Sequence, residues 1–302
     1  GSEFIFNEDE QYNITRNKIP VEYVGERLYN DDTIEDIKKF WDENPLFSGE
    51  SKYEVGTEEF FKEHDKLYHT KVFLNEEEIK NKVLFPKNNS HVLDLGCGIG
   101  FWANKFSNEL NVDLVAADIS PKSLEIAKLR IKSENVNFCL ENAEQMNFKN
   151  KTFDHINCQG VIHHSPNINK SISEISRCLK VNGTASIGIY YKNYILKNYN
   201  FFHKIIPTKI FKNLGRGRNF KNLPKDYNEV VRLYDGNENP LGHCLTTKEF
   251  KQLLVNSNLT VINFKYSFFP FRFLNIKFPF FLKKIITFLF PFFIIANVKK
   301  TI

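Results

Sequence analysis

No two cysteines in this chain stand at Cys-x-x-Cys spacing. The five present (Cys97, Cys139, Cys158, Cys178, Cys244) are scattered along 302 residues. An odd number of thiols, placed on expected core strands and helices, excludes a disulfide framework and points to reduced thiols in a cytosolic protein. The histidines and cysteines also lack ligand spacing, so no metal constellation is expected. No apolar run reaches the roughly 18 residues that a membrane span needs. The nearest, 269–291, is broken by Pro279 and by Lys283-Lys284. No signal-peptide pattern opens the chain, and Gly1-Ser2-Glu3-Phe4 reads as a cloning scar to be set aside. Internal repeats and low-complexity tracts are missing too. Acids are absent from two stretches, 192–225 and 263–302.

What the chain has in excess is phenylalanine, 30 residues of it, on an otherwise ordinary globular composition. The net charge is only +5 but uneven. Residues 8–78 are rich in Asp and Glu, whereas 192–225 carry Lys192, Lys197, Lys204, Lys209, Lys212, Arg216, Arg218, Lys221 and Lys225. Such asymmetry marks either a polyanion or membrane partner, or facing acidic and basic surfaces.

The centre of the chain is Val92-Leu93-Asp94-Leu95-Gly96-Cys97-Gly98-Ile99-Gly100. It reads as a buried strand entering a glycine turn, with a helix over 100–110. Glycines let the backbone turn sharply and approach a ligand, and the helix start offers unpaired N–H groups. A second strand, 113–117, ends in Asp118, about 20 residues on, where nucleotide folds place an acid for ribose hydroxyls. The spacing is Gly-x-Gly-x-Gly rather than the Gly-x-Gly-x-x-Gly of dinucleotide folds. Further strands are expected near 136–140, 153–158 and 184–190, with helices at 121–133 and 168–180. Ser120 caps the first of these helices and Pro121 opens it. Alternation of short apolar strands with helices argues for a parallel sheet covered on both faces.

These residues resemble the class I S-adenosylmethionine-dependent methyltransferases. Asp-Leu-Gly-Cys-Gly-Ile-Gly with Asp118 matches their first two motifs. Phe138-Cys139-Leu140-Glu141-Asn142-Ala143-Glu144 resembles the third. Phe153-Asp154-His155-Ile156 and Gly160-Val161-Ile162-His163-His164-Ser165-Pro166 resemble the fourth strand and its turn. Arg177-Cys178-Leu179-Lys180-Val181-Asn182-Gly183 resembles the turn before strand five, with Val181 and Asn182 replacing Pro and Gly. The resemblance is strong over 85–190. It implies an α/β, doubly wound, mostly parallel seven-stranded sheet with helices on both faces, an N-terminal helical lid and an insertion after strand five.

The same resemblance implies S-adenosylmethionine as cofactor and S-adenosylhomocysteine as product. It assigns close backbone approach to Gly96, Gly98 and Gly100, with Cys97 inside their turn. Asp118 would take the ribose hydroxyls, Ile119 and Ala143 would flank the adenine, and Asn142 would bond its amino group. Asp94 would orient the loop or meet the methionine ammonium, and Gln159 completes the cofactor set. His163 and His164 stand at the carboxyl edge near the methionine end, as candidates for base or orienting group. Tyr190, at the end of strand five, and His243, in Asn239-Pro240-Leu241-Gly242-His243, are further catalytic candidates. Tyr191 ends the same strand.

The flanks divide as an arm and helical lid over 5–85, the core over 86–190, a substrate-covering insertion over 191–245 and the rest of the sheet over 246–302. Thr33 is expected to cap a helix over 34–42 with Asp36 as capping-box acid, and Ile34, Ile37, Phe40 and Trp41 share its face. Thr57 caps a second helix over 58–68, and a third spans 76–83. Trp41, Tyr53, His64 and Tyr68 are lid candidates. Thr246 or Thr247 caps a helix to about 256, followed by strands at 259–268 and 292–298. The apolar stretch between those strands is a core helix, an apolar substrate wall or an interfacial helix, the last with Arg272, Lys277, Lys283 and Lys284 toward headgroups.

The expected activity is methyl transfer to O or N of a small acceptor, apolar or aromatic, in a cytoplasmic protein with a peripheral membrane contact as a further option. The alternative is a nucleic-acid methyltransferase using 192–225. Against it, no Asn/Asp-Pro-Pro-Tyr/Phe motif follows strand four.

Overall fold

Apolar runs too short for helices build the sheet. The computed structural model describes residues 13–14, 32–73, 75–205, 211 and 226–301. The core strands are β2 (Ser90–Leu95), β3 (Val112–Asp118), β4 (Val136–Leu140), β5 (Phe153–Gln159), β6 (Leu179–Tyr190), β7 (Leu259–Ser267) and β8 (Phe293–Lys300). A two-residue strand, β1 (Asn13–Ile14), adds an eighth member from the arm, antiparallel to β4. The order is β1-β4-β3-β2-β5-β6-β8-β7. β2 to β6 run parallel, and β8 lies antiparallel between β6 and β7.

Successive side chains on a strand face opposite ways, and the two faces have separate cores. Val92, Leu114, Ala116 and Val136 meet α3 (Glu76–Lys82), α4 (Phe101–Glu109) and α5 (Pro121–Arg130). Leu93, Leu95, Val115 and Ala117 share a core with α6 (Ile168–Cys178) and α10 (Thr247–Asn256). This is the doubly wound arrangement that alternation implies, and it leaves the carboxyl ends of β2 to β5 at one edge.

Helix starts follow their caps. Thr57 accepts from Phe60 N–H to open α2 (Glu58–Leu67), which runs on into a π-helical turn, Tyr68–Val72. Ser120 accepts from Ser123 N–H to open α5, with Pro121 first in the helix. Thr246 and Glu249 form a full capping box at α10. Three expectations shift. Helix α1 (Asp32–Glu43) starts ahead of Thr33, whose side chain lies outside the described residues. Helix α5 stops at Arg130 rather than 133. Strand β6 begins at Leu179 rather than 184, because Asn182 takes a left-handed φ of 66° and carries the chain through its turn as an irregularity of the β5–β6 pairing.

Of the insertion, α7 (Tyr194–Lys197), α8 (Tyr199–Ile205) and α9 (Tyr227–Arg232) are described. Lys209, Lys212, Arg216, Arg218, Lys221 and Lys225 lie outside the described residues, as do the scar and most of the arm. The Phe-rich stretch forms a turn at Phe271–Phe273 and α11 (Phe280–Leu289). No helix among the described residues is long and apolar enough to cross a membrane.

Candidate active site

Where Leu95 ends β2 the chain turns at once. Gly96, Gly98 and Gly100 have φ of 70°, 52° and 81°. A Cβ on Gly96 would stand 2.2 Å from Val161 Cγ2, so glycine is required there by conformation and by space. Gly100 instead starts α4, and a Cβ there would come within 3.0 Å of Ile131 on the α5 side. Cys97 sits in the core beneath the turn, and burial pushes its thiol well up.

Asp118 ends β3 beside the turn. Its Oδ2 accepts Gly98 N–H at 2.8 Å and its Oδ1 accepts Ser120 N–H at 2.9 Å. Burial pushes this carboxyl up to about 6 despite those bonds. A carboxylate offers about four acceptor positions, and the backbone N–H groups of Gly98, Ser120 and Ile119 do not use them all, so acceptor capacity remains for a ligand. Gly96, Gly98, Asp118, Ile119 and Ser123 form one wall of a cleft of about 810 Å³, counted to its open mouth. Glu141, Asn142 and Ala143 form the next wall, beyond β4. Asn142 Oδ1 accepts Glu144 N–H at 3.0 Å, so the amide is held by its own turn.

Asp94 lies behind the glycine turn and does not line the cleft. Its Oδ1 accepts from Asn157 Nδ2 at 2.7 Å, while Oδ2 is buried without a partner. Burial pushes it up to about 7. It ends a polar row across the sheet: Asp94, Asn157, Ser186, Asn297 and Asn263 are successive register partners on β2, β5, β6, β8 and β7. Ser186 Oγ donates to Asn297 Oδ1 at 2.8 Å, and Asn297 Nδ2 donates to Asn263 Oδ1 at 2.9 Å. Gln159, which does line the cleft, donates from Nε2 to Ser186 O at 2.9 Å and leaves Oε1 without a partner.

The roof comes from α1 and the loop after it. Ile34, Ile37 and Trp41 lie on one face at helical spacing and line the cleft with Leu46. A latch fixes this roof. Asp42 Oδ1 accepts Ser120 Oγ–H at 2.9 Å and Lys122 N–H at 2.8 Å, placing a carboxylate at the start of α5. Of the four lid candidates only Trp41 lines the cleft. His64 and Tyr68 pack on Phe101, and Tyr53 is exposed.

The turn after β5 supplies Gly160, Val161, His164, Ser165 and Pro166 to the opposite side. Trp41 and His164 meet edge to face at 5.1 Å. Both His164 nitrogens are engaged. Nδ1 lies 2.7 Å from Leu241 O, a pure acceptor, so Nδ1 carries a proton. Nε2 lies 3.4 Å from Asp235 Oδ2, which also accepts the Tyr190 hydroxyl at 2.5 Å. Burial pushes Asp235 up, but the bonds and charge of His164, with Tyr190 and Arg272, outweigh it and hold the carboxyl below its usual range. Arg272 is itself paired with Glu50 at 2.6 Å and stands 4.9 Å over the Tyr234 ring.

His163, Tyr190 and His243 do not line the cleft. His163 is 1% exposed, stacks 3.9 Å from Tyr190, and has no partner at either ring nitrogen. Burial, with His164 and His243 nearby, holds its pKa well below the ordinary value. His243 donates its backbone N–H to His163 O at 2.8 Å, and so pins the 239–245 loop against the histidine turn. His163, His164 and Asp235 present donor atoms within 4.8 Å of one another. Reading histidine and cysteine spacing along the chain missed this cluster, because its carboxylate comes from a distant loop. The same reading missed Asp235 as a site residue.

Two features suit an adenosyl cofactor: the Asp118 carboxylate at the cleft wall, and the glycine turn at Gly96 and Gly98 that brings backbone to the same wall. Residues 93–187 match the family described as a methyltransferase domain. An uncharacterized protein of Methanocaldococcus jannaschii is 33% identical over 153 residues, covering 48% of this chain and 57% of that protein. The ubiquinone/menaquinone biosynthesis C-methyltransferase UbiE of Rickettsia massiliae is 31% identical over 136 residues, covering 41% and 55%. The chain thus spans somewhat over half the length of these relatives. The solved Haemonchus contortus phosphoethanolamine N-methyltransferase 2, in complex with S-adenosyl-L-methionine, shares the fold at a TM-score of 0.53 and 16% identity, covering 84% of this chain and 59% of that one. Residues 93–187 thus match a methyltransferase domain, set in the doubly wound, Rossmann-like fold that the solved neighbour shares.

Proposed function

We propose that this chain transfers a methyl group from S-adenosylmethionine to O or N of a small apolar or aromatic acceptor. The observation that carries the reading is continuity. The Asp118 and glycine-turn wall opens into the same cleft as the apolar roof of Ile34, Ile37, Trp41 and Leu46. Asp118 would hold the ribose, Ile119 and Ala143 the adenine faces, Asn142 its edge, and Gly96 and Gly98 the methionine end. The bound cofactor supplies a methyl already activated by its sulfonium.

The protein then has to align the acceptor and exclude water. Trp41 and the latched α1 exclude water. His164, engaged at both nitrogens, shapes the acceptor wall and is held by Asp235. With no open nitrogen at His164, the acceptor brings its own lone pair rather than relying on that ring as base. The names of the relatives span carbon and nitrogen acceptors, so they do not choose the atom. For the RNA alternative, Lys192 is engaged by the Tyr227 hydroxyl at 2.7 Å, and no observation on the described residues favours it.

Incubation with methyl-labelled S-adenosylmethionine and fractionated cell extract tests the proposal. Label in an organic-soluble small product is expected. Label only in RNA, or in polar metabolites, would overturn the acceptor class. No transfer to any fraction would overturn the activity.

A further inference from the structure

Helix α11 is turned inside out. A surface helix normally buries its apolar stripe, yet the only residue α11 buries is Thr287. Phe280, Lys284 and Phe288 form one outward row at i, i+4 spacing, and Phe281, Ile285 and Leu289 form the next. Phe288 is 83% exposed, Phe281 62% and Phe280 56%. Ile276, in the loop before, is exposed as well. A contiguous apolar face of this kind marks an interaction surface.

Charge selects its occupant. Lys277, Lys283 and Lys284 surround the face, and none makes an ion pair among the described residues. Lys283 stands 5.9 Å over Phe271 and Lys284 5.0 Å over Phe280, so the ammonium groups border the apolar face. No acid occurs from 263 to 302. A second copy docked through the same face would set lysine against lysine with no carboxylate to answer it. Aromatic and aliphatic groups flanked by unanswered lysines match the boundary of a bilayer that carries anionic headgroups.

We propose that α11 is a membrane-docking helix, with its 280/281/284/285/288/289 face in the headgroup–acyl boundary of an anionic bilayer. It lies in the plane of the surface and does not span it. This inference does not rest on the methyl-transfer reading.

The test is co-sedimentation of the full chain with phosphatidylcholine vesicles, with and without phosphatidylglycerol, at low and high salt. Expected is binding that needs phosphatidylglycerol and weakens with salt. Phe281→Ser/Phe288→Ser should abolish binding to the vesicles that carry phosphatidylglycerol. Lys277→Glu, Lys283→Glu and Lys284→Glu should each lower the phosphatidylglycerol preference by roughly a factor of five or more. Far-ultraviolet circular dichroism and S-adenosylhomocysteine affinity, unchanged in these outward-facing variants, show that the fold is intact. Sedimentation velocity on the same samples reads the other occupants. A concentration-dependent dimer lost in Phe281→Ser/Phe288→Ser would overturn the proposal in favour of a second copy. A monomer that binds neither vesicle would overturn it outright.

Discussion

Two buried carboxylates flank the glycine turn, Asp118 at the cleft and Asp94 behind it, and both are held at a cost that pH can reveal. Burial pushes Asp94 up to about 7 and Asp118 up to about 6. The folded chain therefore keeps protons that the unfolded chain releases near 3.8. The stability these groups contribute is full below that ordinary value and is lost as pH rises through about 6 and 7. The difference in unfolding free energy between wild type and Asp94→Asn reads Asp94 with its coupling to Asp118, since titrations that do not touch this pair cancel. That difference is expected to fall from about pH 4 to about pH 7 and to level off above it; a flat one would contradict the effect of burial. On the acceptor side, Tyr190→Phe removes a hydrogen bond to a charged, buried Asp235. It should cost about 1.5–3 kcal/mol of stability and lower turnover while leaving cofactor affinity unchanged. Equal loss of affinity would place Tyr190 in the cofactor site. Asp118, Gly96 and Gly98 were legible in the sequence because their chemistry is local: a strand, a turn, and an acid at the end of the next strand. Asp235 was not, because only tertiary folding brings its loop to His164, and an Asp-Gly pair by itself says turn.

At the scale of elements, the roof depends on one side chain at the end of α1. Asp42 accepts from both Ser120 and Lys122 at the start of α5, so Asp42→Ala removes a cap and a favourable charge at a helix N-terminus. The expected loss is about 1 kcal/mol of stability. Cofactor binding should weaken along with it, because Ile34, Ile37 and Trp41 lose their anchor; calorimetry and thermal melts on the same variant read both. Unchanged binding would show that the roof closes without the latch. The helices were legible where a cap precedes an amphipathic run, as at Thr57, Ser120 and Thr246. The start of β6 was not, because Asn182 takes a left-handed φ that keeps a strand going where its sequence reads as a break. Nor was the orientation of α11. A helix apolar nearly all round gives no sign of which face is inside, and the readings left open for it could be separated only by seeing Thr287 buried and Phe288 exposed.

Across the whole molecule, the sheet divides the work. Its β2–β5 edge gathers the glycine turn, Asp118 and the histidine turn. The antiparallel end, β6-β8-β7, supports the Tyr190, Asp235 and Arg272 cluster, and α11 lies outward of it. The polar row from Asp94 to Asn263 ties the two halves through the sheet itself. This plan was legible from the alternation of strands and helices over 85–190. The flanks were less so, since composition alone does not tell a lid from a core helix. The central claim is that the Asp118 edge binds the adenosyl cofactor. Its most direct test is calorimetric titration of wild type and Asp118→Ala with S-adenosylmethionine and S-adenosylhomocysteine. Wild type is expected to bind both, and the variant to lose roughly 1.5–3 kcal/mol, about 10- to 150-fold in affinity. Wild type that binds neither, or a variant with unchanged affinity, would contradict it.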